Sequence, residues 1–193
     1  ITDSGPLGLT CTAVGNAKLA TAQSAFGGSS LVLDGAGDYV TVADNNALDL
    51  GAGDFSIEFY MRRASTQTVS FPRLLAKGAY GQAGTLEVCL NPTNGNVFII
   101  YGSGATTVGL GGGTAVDTWV YVQIVRSGST VAGSFNAVAG NSGTMSENLG
   151  NSNALLIGSS EIGEAFNGYI DMLRITKGVS RTIVGPTTAW PTQ

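Results

Sequence analysis

Histidine is missing from the chain altogether, and only two cysteines occur among its 193 residues. Without imidazole there is no Ser-His-Asp or Cys-His nucleophile, no histidine metal site and no general base of the commonest kind, which removes most enzyme classes. Cys11 and Cys89 are too few for a disulfide scaffold and show no CxxC spacing for zinc; they stand either as two free thiols or as one bridge. Charge is scarce as well. Charged side chains make up 11% of the chain, 9 basic against 13 acidic, for a net charge of −4. The basic residues are scattered except for Arg62-Arg63, so no stripe exists to neutralise a phosphate backbone, and nucleic acid binding is not expected. No apolar run approaches the roughly 18 residues of a membrane span. The longest, such as Val97 to Tyr101, have strand length, and a soluble chain without membrane contact is expected. The chain opens on Ile1 rather than Met and shows no signal core, which reads as a processed or excised portion of something longer.

What is abundant is glycine, 29 residues of it, together with Ser, Thr and Asn. Such a composition favours turns and tightly packed strands over exposed helices, and it is common in extracellular and virion-surface β-proteins. Phe166 to Gly178, FNGYIDMLRITKG, is the best-marked strand: it opens at an Asn-Gly turn and stops at Lys177-Gly178. Ile170 falls in one side-chain phase and Leu173 and Ile175 in the other, so a β-bulge is expected near Asp171-Met172. A late strand of this quality is expected at the centre of its sheet. Asp54 to Arg62 has the cleanest period of two, with Phe55, Ile57, Phe59 and Met61 on a core face and Ser56, Glu58, Tyr60 and Arg62 on a polar one.

Leu31 to Leu33 and Tyr39 to Val42, joined across Asp34-Gly35-Ala36-Gly37-Asp38, read as a hairpin. One helical turn is expected near Ala47 to Leu50. Further strands are expected at Leu9 to Val14, Arg73 to Ala76, Leu86 to Leu90, Val97 to Tyr101, Thr118 to Arg126, Thr130 to Asn136 and Ala154 to Gly158, while Gly109 to Gly113 reads as a flexible loop. Many short strands with frequent turns give an all-β, antiparallel sandwich with little helix. No linker composition interrupts it, so 1–193 is taken as a single domain with an extended tail at about 185–193, where Pro186, Pro191 and Trp190 fall. Trp119 is assigned to the core.

Three stretches, FGGSSLVLDGAGDYVTV, DFSIEFYMRR and FNGYIDMLRITKGVSR, with WVYVQIVRSGS between the last two, resemble laminin G-like domains of the concanavalin A-like lectin superfamily, especially modules of tailed-phage structural proteins. The resemblance implies a jelly-roll of two packed sheets with the first and last strands adjacent. The chain departs from the family at three places. The apolar strand that usually precedes the segment starting here as ITDSG is not in this sequence. Gly133 and Asn136-Ala137 weaken a strand that is usually bulky and ends in Asn-Gly, and Met172 stands where a second acidic residue is common.

Carboxylates are the remaining reactive groups, and glycosidases need only an acid and a base flanking a sugar bond. The clustered ExDxE strand motif of such enzymes is missing. Glu58 and Glu87 lie singly on strands and Glu161 and Glu164 in the loop SSEIGEA, all expected as solvated carboxylates. Loop oxygens suit calcium, which makes Asp34, Asp38 and Asp171 candidate metal ligands; turn formation is the competing role for the first two, and Arg174, backbone amides or a bulge for the third. Candidate ligand-binding residues are Tyr60 between Glu58 and Arg62 on the polar face, and Tyr80 in the loop GAYGQ, since exposed rings with nearby amides and carboxylates recognise sugars. The expected function is a non-enzymatic virion-surface module of a tailed phage, as capsid decoration or part of a tail or fibre, with host-glycan adhesion. The partners would be other virion proteins, copies of the chain itself and cell-surface glycan. The alternative is a secreted bacterial carbohydrate-binding or adhesion domain.

Overall fold

Phe55, Ile57, Phe59 and Met61 all point into one core and none is more than 1% exposed, as the period of two requires. The strand that carries them is one of fourteen in the computed structural model, which describes residues 1–182. The first half of the chain forms β1 (Cys11–Val14), β2 (Lys18–Ala20), β3 (Ser30–Asp34), β4 (Tyr39–Val42), β5 (Phe55–Arg63), β6 (Arg73–Lys77) and β7 (Leu86–Leu90). The second half forms β8 (Val97–Tyr101), β9 (Thr106–Gly111), β10 (Val120–Ser127), β11 (Thr130–Phe135), β12 (Val138–Thr144), β13 (Leu155–Ile157) and β14 (Asn167–Lys177). A single 3-10 turn, Asn46–Leu48, falls between β4 and β5, capped by the Asn45 side chain. The strands make two seven-stranded sheets, β1-β4-β13-β6-β7-β8-β9 (sheet I) and β12-β11-β10-β5-β14-β3-β2 (sheet II), packed as a jelly-roll sandwich. No helix among the described residues is long and apolar enough to cross a membrane.

β14 sits inside sheet II, between β5 and β3. Its register against β5 shifts between Asp171 and Arg174, and Met172 adopts φ 53, so the bulge expected from the phase change is present. The last strand is flanked by β3 and β5 rather than by the first strand, which lies at the edge of sheet I and corrects the adjacency the resemblance implied.

The segment read as a hairpin is instead a crossing. β3 pairs with β2 and β14, whereas β4 pairs with β1 and β13 in the opposite sheet. Gly35 and Gly37, at φ 78 and 84, turn the chain over the edge of the sandwich, so Leu33 and Val40 meet across the same core from opposite sides. The Asp38 carboxylate fastens the corner by accepting from the amides of Asn16 and Asp34.

Gly109 to Gly113 is likewise not simply a loop, because β9 runs to Gly111 as the edge strand beside β8. The reason lies in the facing sheet. A Cβ on Gly133 would stand 2.7 Å from the Leu110 Cβ, and one on Gly143 would stand 2.7 Å from a Val108 methyl. Glycines on β11 and β12 therefore let β9 close against sheet II, and the positions that weaken strand propensity are the ones that admit this packing.

Trp119 is half-buried outside the core cluster, its ring tilted against Tyr169 at 6.3 Å. Val120 turns inward, so alternation places its predecessor on the outer face. Both cysteines are free. Burial pushes the thiol pKa up at each, so neither is an activated nucleophile. Trp190 and the tail at 185–193 lie outside the described residues.

Candidate functional site

The outer faces of the two sheets differ. On sheet II, Ser56, Glu58, Tyr60 and Arg62 do share the face opposite the core, but that face is covered. Glu58 is 2% exposed; it accepts from the Tyr121 hydroxyl at 2.7 Å, Arg174 Nε at 2.9 Å and Gln123 at 3.4 Å, and pairs as an ion with Arg174 Nη2 at 2.7 Å and Arg181 Nε at 3.4 Å. The chain leaving β14 folds back over it. Ser56 Oγ donates to Val179 O and accepts from Arg181 N, and Gln123 donates to Thr182 O. Tyr60 packs edge-on to Phe26 at 5.4 Å and beside Tyr121 at 5.2 Å, and burial followed by the Asp171 charge raises its phenol pKa. Arg62 pairs with Asp117 at 3.0 Å and lies 5.8 Å over the Tyr169 ring. The solvated carboxylate expected at Glu58 is thus the hub of a buried network, because the returning chain excludes the water that alternation alone would have left there.

Asp34 and Asp38 hold a turn, and Asp171 holds a loop. Asp171 accepts from the amides of Ala25 and Phe26 at 2.8 and 3.1 Å, pinning the loop after β2, and Asp34 accepts from Ala36 N and Asn16 Nδ2. Register puts Asp34 opposite Asn167, four strand positions from Asp171, or about 13 Å along the strand. No cluster of three acidic, cysteine or histidine groups able to hold a metal occurs among the described residues. Calcium takes six or more oxygen ligands, and these three carboxylates do not assemble such a set.

The outer face of sheet I is buried over β6 and β7 but opens over β8 and β9. A groove of about 610 Å³ crosses β8 and β9, with the β7–β8 turn at one end and Tyr80, from the β6–β7 connection, lining it as well. Val97, Ile99 and Tyr101 point into the core, so Phe98 and Ile100 point out and form the floor. Gly109, opposite Phe98, leaves that floor without a side chain, and a Cβ added there meets nothing within 4 Å. Phe71 stands edge-on to Phe98 at 5.6 Å. Phe71 and Tyr80 are 44% and 51% exposed.

The turn NPTNGN supplies the polar groups. Asn91, Asn94 and Asn96 each accept a backbone amide hydrogen through the side-chain carbonyl, from Thr93, Asn96 and Gly113 respectively. That leaves their NH2 groups, without a partner among the described residues, lining the groove with Asn141. The wall by β6 is charged. Arg73, 3% exposed, donates through Nε to Glu87 at 2.9 Å and through Nη1 to Phe71 O, and Nη1 also pairs with Glu164, while its amide donates to Glu164 O at 2.9 Å. Gly158 N to Leu74 O completes the attachment of the 159–165 loop to β6. Glu87 is buried rather than solvated, and its pKa is raised, first by burial and then by the charges of Glu164 and Glu161, against the pull of Arg73.

A laminin G-like family model, described as the concanavalin A-like lectin/glucanases superfamily, matches residues 34–181. The chain belongs to this superfamily. Among solved structures, the superfamily fold of this chain is similar to domain 4 of AbnA, a GH43 extracellular arabinanase from Geobacillus stearothermophilus, in complex with arabinotriose. The TM-score is 0.68 and the identity 20%, over 90% of this chain and 84% of that one. It is also similar to the binding domain of botulinum neurotoxin DC in complex with SialylT, with TM-score 0.70 and 13% identity over 94% of this chain and 45% of that one. The botulinum neurotoxin serotype D binding domain gives TM-score 0.67 and 16% identity, over 90% and 44%. The chain spans less than half the length of these toxin domains. No curated protein matches it.

Of the residues singled out from the sequence, Tyr80 lines the groove, whereas Glu58, Tyr60, Arg62 and Asp171 lie on the opposite sheet and Asp34 and Asp38 flank the turn between β3 and β4. Phe71, Phe98 and the asparagines were missed. Their signal was present, because NPTNGN is flanked by an outward-phased Phe98, but it reads equally as a plain turn.

Proposed function

We propose that the chain is a carbohydrate-binding module without catalytic turnover, and that the groove on sheet I holds the saccharide. The observation that carries this is the joining of two exposed rings with asparagine NH2 donors around an open floor. Rings stack on the apolar faces of sugars, and fixed amides orient the hydroxyl groups. Binding rather than hydrolysis is supported by the carboxylates nearest the groove, since Glu87 and Glu164 both engage the same arginine instead of flanking an open gap. The similar arabinanase domain was solved with an oligosaccharide, which agrees with a glycan ligand.

Gly109→Leu is the decisive variant, because the added side chain enters open groove and leaves the strand unstrained. Saccharide binding by titration calorimetry is expected to vanish while the melting temperature holds. Retained binding would place the ligand elsewhere. Tyr80→Ala and Phe71→Ala are expected to weaken binding about tenfold each. Release of reducing sugar from any bound polysaccharide would replace binding by hydrolysis.

The location we propose is the surface of a tailed-phage virion, where such a module would attach to other virion proteins or to copies of itself and meet cell-surface glycan. This rests on the phage-like strand signature and the Gly-rich, histidine-free composition. Mass spectrometry of purified particles from the source tests it, and absence of the chain from them favours a secreted bacterial adhesion domain.

A further inference from the structure

Resting on the glycan-binding reading of the same groove, we propose that it selects neutral saccharides and rejects acidic ones, with Glu164 as the specificity-determining side chain. Arg73 is the only lysine or arginine among the described lining residues. It is almost wholly buried, and Glu87, Glu164 and Phe71 O occupy its Nε and Nη1. Little of the guanidinium is left to receive a carboxylate from a ligand.

The wall around it carries an excess of negative charge. Glu87 and Glu164 face Arg73, and Glu161 on the same loop is close enough to raise the Glu87 pKa, so three carboxylates stand against one cation. Glu164 is the one that lines the groove while keeping partial solvent access, at 24% side-chain exposure. One of its oxygens is held by Arg73 and its backbone carbonyl by the Arg73 amide, which fixes its position. The other is placed to accept from a sugar hydroxyl, an interaction stronger than that of a neutral acceptor. A uronate or sialate in the same place meets a like charge across a partly dehydrated groove, where repulsion is larger than in bulk water. The four asparagines add no charge, and as donors they suit the ring and hydroxyl oxygens of neutral sugars.

A glycan array carrying neutral oligosaccharides (cello-, xylo- and arabino-oligosaccharides, lactose) beside acidic ones (oligogalacturonate, oligoalginate, sialyllactose) tests this, with calorimetry on the matched pairs. Neutral members should bind, and their acidic counterparts should bind about tenfold more weakly or worse. Glu164→Gln, which keeps an acceptor for Arg73, should narrow that gap about threefold or more. If the loop does not tolerate the change, raising ionic strength on the unaltered chain should narrow it in the same direction. Acidic members binding as tightly as neutral ones, or a gap indifferent to both Glu164→Gln and salt, overturns the selectivity and leaves the glycan reading standing. No binding by any member overturns the glycan reading itself.

Discussion

Replacing Glu58 tests whether the covered face of sheet II holds the fold together. Glu58→Ala removes the acceptor of the Tyr121 hydroxyl and of the Arg174 guanidinium, and loosens Gln123 and Arg181. A buried hydroxyl deprived of a charged acceptor costs about 1 to 3 kcal/mol. Breaking a buried ion pair by removing one partner costs about 3 to 5 kcal/mol. Arg174 keeps 27% side-chain exposure, so water recovers part of its solvation and the lower end applies. The expected loss is about 4 kcal/mol in total, or roughly 8 to 16 °C in Tm for a chain of this size. Urea unfolding followed by tryptophan fluorescence measures it, with an unchanged slope showing that the same surface unfolds. Glu58→Gln keeps the shape and one acceptor, so about half that loss is expected. Glycan binding should be unaffected by either variant, because the groove is on the other sheet. A loss below about 1 kcal/mol would refute the reasoning and mean that the returning chain packs without the carboxylate.

Phe59→Ala should cost about 3 to 5 kcal/mol by opening a cavity at a residue only 1% exposed, and Ser56→Ala about 1 kcal/mol through the two hydrogen bonds of its hydroxyl, both read from urea melts. The Tyr121 pKa is raised, first by burial and then by Glu58, so above pH about 10 the unfolded chain sheds a proton that the folded chain keeps. Stability should therefore fall by about 1.4 kcal/mol per pH unit from this group, and Tyr121→Phe should flatten the alkaline limb of Tm against pH. Asp171→Ala leaves the amides of Ala25 and Phe26 without their acceptor, so hydrogen exchange should quicken across 21–29; chelator should leave the Tm of the unaltered chain where it is.

Local pattern was enough for the strands that bury one face. The phase slip at Asp171-Met172 announced the bulge, and the alternation of β5 announced its core face, because both follow from a side-chain period of two. Which strand lies beside which was less accessible. The two strands flanking Asp34 to Asp38 are close in sequence, and nothing in a glycine turn says whether it folds a strand back on its own sheet or carries it across to the other. Strands β9 and β12 escaped notice because their glycines answer to a facing strand rather than to local propensity. The groove was hardest to see. Its residues come from β6 and the segment before it, the β6–β7 connection, the β7–β8 turn, β8, β9, β12 and the loop after β13, and the two exposed rings among them, Phe71 and Tyr80, lie in separate loops.

The place of β14 also governs how the chain can reach this structure. Its partners β3 and β5 are made roughly a hundred residues or more before it, yet they pair with it and not with each other. Until Asn167 onward is available, sheet II exists as two separated pieces, β2-β3 and β5-β10-β11-β12, each with a naked inner edge. Such edges invite pairing with another molecule, and the apolar Ile57, Phe59 and Met61 of β5 make this one especially adhesive. Completion of the sandwich is therefore a closing step that waits on the last strand, and a chain cut before β14 is an open, self-associating fragment rather than a smaller domain.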